Sequence, residues 1–284
     1  MPVGNWIING SEIVASASLE FPFDDCGFLY GYGLFETVKV FNKTPLLLAN
    51  HLGRLQRSSI VMDLMLDIDT EKLIALIYEL IKKNGIENGV LNLYLTGGDR
   101  PTSMYHLGLE KPTLIGVVRE FSFDKLAPLT LGLRQASFQR IPIDGIKTMS
   151  WFKNILEKRL APEFNDIILY DNNDLVLETT TANIFFIKKN KLVTPKAAEV
   201  LMGVTRSFIL EISQKQLLEV EERLVNLSEL TEFDELFITN AVHGVIEIDS
   251  VENHEFLRSG SVTQSIKQKY MEEIHQLSQS SSLV

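Results

Sequence analysis

The residues best suited to chemistry fall in four short stretches. Lys147 lies in Asp144-Gly145-Ile146-Lys147-Thr148-Met149, just ahead of Trp151 and Phe152. A lysine beside aromatic and apolar side chains can lose its water, which lowers its pKa and makes its amine a nucleophile and Schiff-base former. The plainer alternative is one more solvated lysine. In the second stretch, Asp174 to Phe186, an apolar strand runs into Glu178, Thr179, Thr180, Thr181 and Asn183 and then back into apolar sequence. Buried donors and acceptors without partners cost about 1–3 kcal/mol each, so either the protein's own backbone or a ligand must satisfy this run.

The third stretch, Leu201-Met202-Gly203-Val204-Thr205-Arg206, combines a glycine with a hydroxyl where a helix should begin. Free N–H groups and the positive helix end there would let Gly203, Val204 and Thr205 bind a phosphate. Thr205 as a simple helix cap is equally compatible with the pattern. The fourth is Gly31-Tyr32-Gly33-Leu34-Phe35-Glu36-Thr37, followed by His51-Leu52-Gly53-Arg54-Leu55. Its glycines suit a tight turn or a close backbone approach, and the spacing of His51 and Arg54 presents both from one helical face. A loop and a solvated surface helix would give the same pattern.

The elements that must position these residues emerge from periodicity. Trp6-Ile7-Ile8 and Ile13-Val14 flank Asn9-Gly10 and predict a hairpin. Phe35 to Phe41 predicts a strand. From Thr70 to Lys83, Leu73, Ile74, Leu76, Ile77, Leu80 and Ile81 recur with helical period, and Asn84-Gly85 supplies a left-handed stop. Val90 to Thr96 and Thr113 to Val118 predict further strands. The pattern loosens around Phe121 to Ala127, which places a linker at 121–127 between a smaller domain, 1–120, and a larger one, 128–277; residues 278–284 read as a disordered tail. In the second half, Trp151 to Leu160 predicts a helix with Trp151, Phe152, Ile155, Leu156 and Leu160 on one face. Ile167 to Tyr170 and Leu236 to Thr239 predict strands, and Thr205 to Gln216 and Val262 to Leu277 predict helices. Strands and helices mix without regular alternation, and the glycine-rich dinucleotide fingerprint and the phosphate loop are absent. The expectation is an α+β chain.

Composition narrows the classes of function. A chain of 284 residues is comfortable as two domains, and its 45% hydrophobic and 23% charged residues are ordinary for a globular protein. A net charge of -10 argues against a nucleic-acid groove and against adsorption to anionic membranes. Cys26 is the single cysteine, so no internal disulfide forms, which fits a reducing compartment. No stretch approaches the roughly 20 apolar residues of a membrane span, and the start lacks a basic region followed by an apolar one. A cytoplasmic protein is the expectation, with no metal.

Taken in order, Gly31 to Thr37, His51 to Leu55, Ile146-Lys147-Thr148, Leu177 to Phe185, Thr194-Pro195, Gly203 to Arg206 and Asp234 to Asn240 resemble the class IV aminotransferase family. These are the fold-type IV pyridoxal-phosphate enzymes, among them branched-chain and D-amino acid aminotransferases and aminodeoxychorismate lyase. The resemblance spans about Asn9 to Val245. It implies a smaller N-terminal α/β domain and a larger C-terminal, cofactor-binding domain with a mainly antiparallel or mixed sheet. It implies pyridoxal 5'-phosphate as cofactor, a small amino substrate, and a homodimer with the site near the domain interface. Lys147 matches the Schiff-base lysine and Glu178 the carboxylate that pairs with the pyridine nitrogen. Arg54, Gly203, Val204 and Thr205 match the phosphate-binding positions, Leu201 one against the ring, and Asn240-Ala241 a phosphate-side turn. Thr181 and Asn183 fall in the polar run that supports the cofactor.

Within the family, four positions are similar to 4-amino-4-deoxychorismate lyase. Phe35 stands where D-amino acid aminotransferases place a carboxylate-binding tyrosine, and Arg100 lies in the loop where the lyase carries a substrate arginine. Phe152 lacks the hydroxyl that branched-chain aminotransferases place near it, and Asn240-Ala241-Val242 resembles the lyase's Asn-Ala-Leu. Tyr32 and Cys26 depart from the family pattern, replacing an aspartate and an arginine, and Tyr32 joins Phe35 and Arg100 as a candidate substrate residue. The implied reaction releases pyruvate and 4-aminobenzoate, a step of folate synthesis. Amine transfer from a D-amino acid or a branched-chain amino acid is the alternative, and a catalytically idle binding relative the remote one.

Overall fold

The structure is a computed structural model that describes residues 4–19, 23–100, 111–123, 126–256 and 260–280. It divides into two compact units. The first takes the chain through Phe123, together with Lys147–Trp151 and the residues from Gln276 onward; the second takes Asp124–Ile146 and Phe152–His275. Residues 124 and 125 of the expected linker and 281–284 of the expected tail lie outside the described residues.

The first unit contains β1 (Trp6–Asn9), β2 (Glu12–Ala15), α1 (Cys26–Tyr30), β3 (Gly33–Phe41), β4 (Thr44–Pro45), α2 (Leu48–Val61), α3 (Thr70–Lys83), β5 (Gly89–Thr96) and β6 (Thr113–Glu120). Its strands make one six-stranded sheet in the order β2-β1-β6-β5-β3-β4, antiparallel throughout. The β1–β2 hairpin turns through Gly10, at φ 61, and Ser11, one residue later than Asn9-Gly10 suggests. Helix α3 covers the predicted span. Asp69 caps it by accepting from Glu71 N at 3.0 Å and Lys72 N at 3.3 Å, and Gly85, at φ 65, ends it. Leu73, Ile77, Leu80 and Ile81 form its buried face, and α3 packs on β1, β2 and β6 while α2 packs on β3.

The second unit contains β7 (Leu129–Gln135), α4 (Phe152–Arg159), β8 (Asp166–Tyr170), β9 (Val176–Thr179), β10 (Asn183–Lys188), β11 (Lys191–Pro195), α5 (Val204–Lys215), β12 (Glu219–Arg223), β13 (Glu235–Asn240), β14 (Gly244–Val251), β15 (His254–Glu255) and most of α6 (Ser261–Ser280). The nine-stranded sheet is mixed: β14 to β7, β7 to β8 and β11 to β12 are parallel, and the other pairings antiparallel. Strand β10 is apolar without alternation because successive residues, Ile184 to Ile187, are all buried. Phe185 stacks on Phe237 at 4.9 Å and Phe186 on Phe233 at 4.5 Å, which ties β10 to β13 and the turn before it.

Two expectations need correction. The apolar side of α4 does not face a core: Trp151 just before it, Phe152, Ile155 and Leu160 just after it are exposed, and the buried residue of the helix is Glu157. Glu157 accepts from Ser137 N at 2.6 Å and forms an ion pair with Arg134 at 3.0 Å, and these contacts turn the helix polar side inward. Ser278 to Ser280 are not a loose tail but the last turn of α6. Ser278 is buried, and its carbonyl accepts from Thr44 Oγ1 at 3.3 Å. No helix among the described residues is long and apolar enough to cross a membrane.

Candidate active site

In the first unit the backbone places Lys147. Phe35 N donates to Lys147 O at 3.0 Å, Met149 N donates to Gly33 O at 2.8 Å, and Leu34 and Thr148 form a bridge, so residues 147–149 lie as an added edge along the start of β3. The two glycines of Gly31-Tyr32-Gly33 make room for this. A Cβ on Gly33 would come within 2.7 Å of Met149 Sδ and 2.8 Å of Leu95 O, while Gly31, at φ 66, adopts a left-handed conformation and would meet Ser150 Oγ at 2.8 Å. Lys147 Nζ then stands 4.2 Å from the centre of the Phe35 ring and 5.7 Å from that of Trp151. Trp151 meets Phe35 edge-on at 5.8 Å, and Phe35 stacks on Tyr94 at 6.4 Å.

Arg54 sits in a buried cluster that sequence reading only half located. Arg54 Nε and Nη2 donate to Glu36 Oε1 at 2.7 Å and Oε2 at 2.6 Å, and His51 Nδ1 lies 2.7 Å from the same Oε2. Burial raises the Glu36 pKa, but the hydrogen bonds from Arg54 and His51 outweigh it and hold the carboxyl at about 2. Burial pushes His51 below 6.5, the Glu36 bond opposes this, and the charges of Arg54 and Lys147 add to the lowering. The imidazole is therefore neutral at pH 7 and donates through Nδ1.

This cluster makes the fold sensitive to acid. Below pH 6.5 the unfolded chain takes up a proton that folded His51 resists, and between 4.5 and about 2 it takes up one that folded Glu36 resists. Both contributions are present above these windows and are lost as pH falls. A series of unfolding midpoints from pH 8 to pH 3 should decline in two limbs, and His51→Gln should lose the upper one. An upper limb of unchanged size in that variant would contradict the assignment.

In the second unit the polar run of the sequence finds its partner in a residue not picked out by any motif. Asp166, at the start of β8, accepts from Thr179 Oγ1 at 2.9 Å, from Thr181 Oγ1 at 2.6 Å and from Thr180 Oγ1. Thr179 Oγ1 also accepts from Ala182 N at 2.9 Å and closes the turn between β9 and β10. The hydroxyl of Thr181, expected to support a cofactor, is committed to Asp166.

Glu178 and Asn183 stay together at the ends of β9 and β10. Glu178 Oε1 accepts from Arg140 Nη2 at 2.7 Å, and Oε2 accepts from Asn183 Nδ2 at 3.1 Å and from Leu201 N at 3.2 Å. Asn183 Nδ2 also donates to Leu201 O at 2.8 Å, which fixes the 201–203 turn that opens α5. That helix starts without a side-chain cap. A Cβ on Gly203 would fall 2.1 Å from Asn183 Oδ1, so only glycine fits there. Arg206, fully buried, anchors this end by donating to Pro195 O at 3.1 Å and pairing with Glu222 at 2.8 Å. In the pairing of β10 with β13, Asn183 lies opposite Thr239. The turn that follows is held by Asn240, whose Oδ1 accepts from Val242 N at 3.1 Å and His243 N at 2.9 Å.

The structure therefore brings Phe35 to Lys147, and Asn183, Leu201 and Gly203 to Glu178, with Val204 and Thr205 in the uncapped first turn that follows. Tyr32 Oη donates to Met62 O, and Arg100 makes an exposed pair with Asp24 at 3.5 Å. Arg140, Asp166 and Glu36 are the participants that sequence reading did not single out as site residues. Glu36 stood inside a quoted motif; Arg140 and Asp166 carry no local signal. Among the described residues, no group of His, Cys, Asp and Glu is arranged to hold a metal.

The chain is similar to proteins of more than one activity. The chain is 28% identical over 277 residues to an aminodeoxychorismate lyase of Bacillus subtilis (strain 168), with 94% of each covered. It is 28% identical over 234 residues to a D-alanine aminotransferase of Bacillus licheniformis, covering 81% of this chain and 82% of that one. In fold it matches the branched-chain amino acid aminotransferase of Escherichia coli with a TM-score of 0.88, at 20% identity and 95% coverage of each chain. The family model for amino-transferase class IV matches residues 33–251, and the chain belongs to that family of pyridoxal-phosphate-dependent enzymes.

Proposed function

We propose that the protein is a 4-amino-4-deoxychorismate lyase, converting its substrate to pyruvate and 4-aminobenzoate for folate synthesis. The observation that carries this reading is the aromatic wall at Lys147, where the Phe35 ring lies 4.2 Å from Nζ and Trp151 borders Phe35. An α-amino acid bears its carboxylate on the carbon that holds the amine, so amine transfer calls for a polar donor close to the lysine, and Phe35 offers none. The lyase substrate presents a six-membered ring and leaves as an aromatic one, which aromatic faces accommodate by stacking. The Bacillus subtilis relative, matched over 94% of each chain, supports the same reading.

The residues present fit pyridoxal 5'-phosphate. The first turn of α5 has no side-chain cap, and a helix start of this kind is where backbone amides bind a phosphate. When bound, the cofactor supplies a sink for the electron pair left on a carbon that loses a proton. In this reading the amides of Val204 and Thr205, the Thr205 hydroxyl, Arg54 and the Asn240-Ala241 turn hold the phosphate, and Leu201 lies against the ring. Glu178, held by Asn183, faces the pyridine nitrogen. Thr181 stiffens the wall through Asp166. Lys147 would carry the cofactor and, once the substrate's amine has displaced its own, the freed amine would take the proton from the substrate's ring, beside the rings of Phe35 and Trp151. We also read the protein as a cytoplasmic homodimer, since Phe28, Ile60, Val61 and Met65 in one unit and Phe152 and Ile155 in the other are exposed apolar side chains that a second copy would cover.

Amine transfer is the second reading, favoured by the equal 28% identity to a D-alanine aminotransferase. Purified protein given 4-amino-4-deoxychorismate should release pyruvate and 4-aminobenzoate in equal amounts without a keto-acid acceptor. Faster amine transfer from D-alanine or leucine to a keto acid would overturn the lyase assignment.

A further inference from the structure

We infer that Arg140 is the positioning residue that keeps Glu178 ionised, and that it thereby sets the acid limit of the enzyme's working range. This deepens the proposed function and rests on its placing of Glu178 at the ring nitrogen. Arg140 lies between β7 and α4, outside every motif that marks the family resemblance. Its side chain is 6% exposed and that of Glu178 8%, with Nη2 2.7 Å from Oε1. The guanidinium reaches two further acceptors, the Glu199 carbonyl at 3.3 Å and Asn154 Oδ1 at 3.4 Å, and Asn154 is itself fixed by donating to Thr180 O at 2.7 Å. A planar fork meets these acceptors together, which a lysine ammonium does not.

The charge arithmetic gives Arg140 its role. A carboxylate this deeply buried favours its neutral, protonated form unless a cation or hydrogen bonds oppose that. Arg140 gives Glu178 a charged donor beside the neutral ones from Asn183 Nδ2 and Leu201 N. Glu199 presents only its carbonyl to the pair. Without Arg140, Glu178 takes a proton at higher pH, and as a neutral acid it no longer holds a proton on the ring nitrogen. The consequence is an acid limb that moves toward neutrality, not a loss of cofactor.

The test follows the visible absorbance of the bound cofactor and the turnover of the holoenzyme against pH, in wild type, R140M, R140K, E178Q and R140M/E178Q. R140M should shift the acid-side midpoint of both upward by about 1–3 units, and R140K should fall between R140M and wild type. E178Q has no carboxylate to titrate, so R140M/E178Q should share its pH profile. An unmoved midpoint in R140M, or a pH profile of R140M/E178Q that departs from that of E178Q, would overturn the inference. If R140M does not fold, the E178Q and R140M/E178Q pair, which strands no buried carboxylate, still decides it. An E178Q enzyme with wild-type absorbance and turnover would instead count against the placing of Glu178 at the ring.

Discussion

Lys147→Ala is expected to abolish turnover and to remove the visible absorbance that borohydride alters in the wild-type holoenzyme. The loss of a positioned proton carrier alone costs about 10²–10⁴-fold in rate, and the variant also lacks the amine that carries the cofactor. The fold should survive, because the bonds that hold residues 147–149 to β3 are made by the backbone. An unfolding midpoint close to wild type, measured on the same preparation, separates lost chemistry from lost structure. Absorbance sensitive to borohydride in the alanine variant would refute the assignment of Lys147.

Glu178→Gln is the second large effect. The amide keeps the shape and can still accept from Asn183 and Leu201, so the first turn of α5 and with it the hold on the phosphate should persist. What goes is the negative charge. A ring nitrogen without an anion beside it keeps its proton poorly, and proton removal from the substrate should slow by about 10²–10³-fold, the scale seen when one electrostatic partner is taken from a reacting site. The substitution also leaves Arg140 buried without its anion, and breaking such a pair destabilises by about 3–5 kcal/mol. Cofactor titration, single-turnover kinetics and an unfolding curve should therefore give near-normal affinity, a large rate defect and a lowered midpoint. Unchanged turnover would contradict the role of Glu178.

Much of the secondary structure could be read in advance where one residue pattern carried the whole signal. Helix α3 has a continuous apolar face, a capping aspartate and a glycine stop, and each is a local property. Helix α2 was visible only as a spacing of His51 and Arg54, because its buried face carries His51, Arg54 and Ser59 beside its leucines and so lacks a clean hydrophobic period. Helix α4 misled for the opposite reason. Its apolar side has the right period, but the direction it faces is decided by the contacts between Glu157, Ser137 and Arg134, which no periodicity reports.

The candidate site divides the same way. Lys147, Glu178, Asn183 and Gly203 through Thr205 stand in short ordered motifs; residue type and spacing nominated them beside plainer readings, and the cofactor followed from the family resemblance that the ordered motifs carry. Which groups answer the polar run was settled only by folding. Asp166 meets the threonines across 13 to 15 residues and Arg140 meets Glu178 across 38, while Arg100 meets Asp24 and Tyr32 meets Met62. Sequence by itself determined the α+β character and nominated the chemistry-bearing residues, since these depend on side-chain type and near-neighbour periodicity. Tertiary structure decided which charges are paired and which hydroxyls are already engaged, because a buried polar group takes its partner from whatever strand the sheet brings beside it.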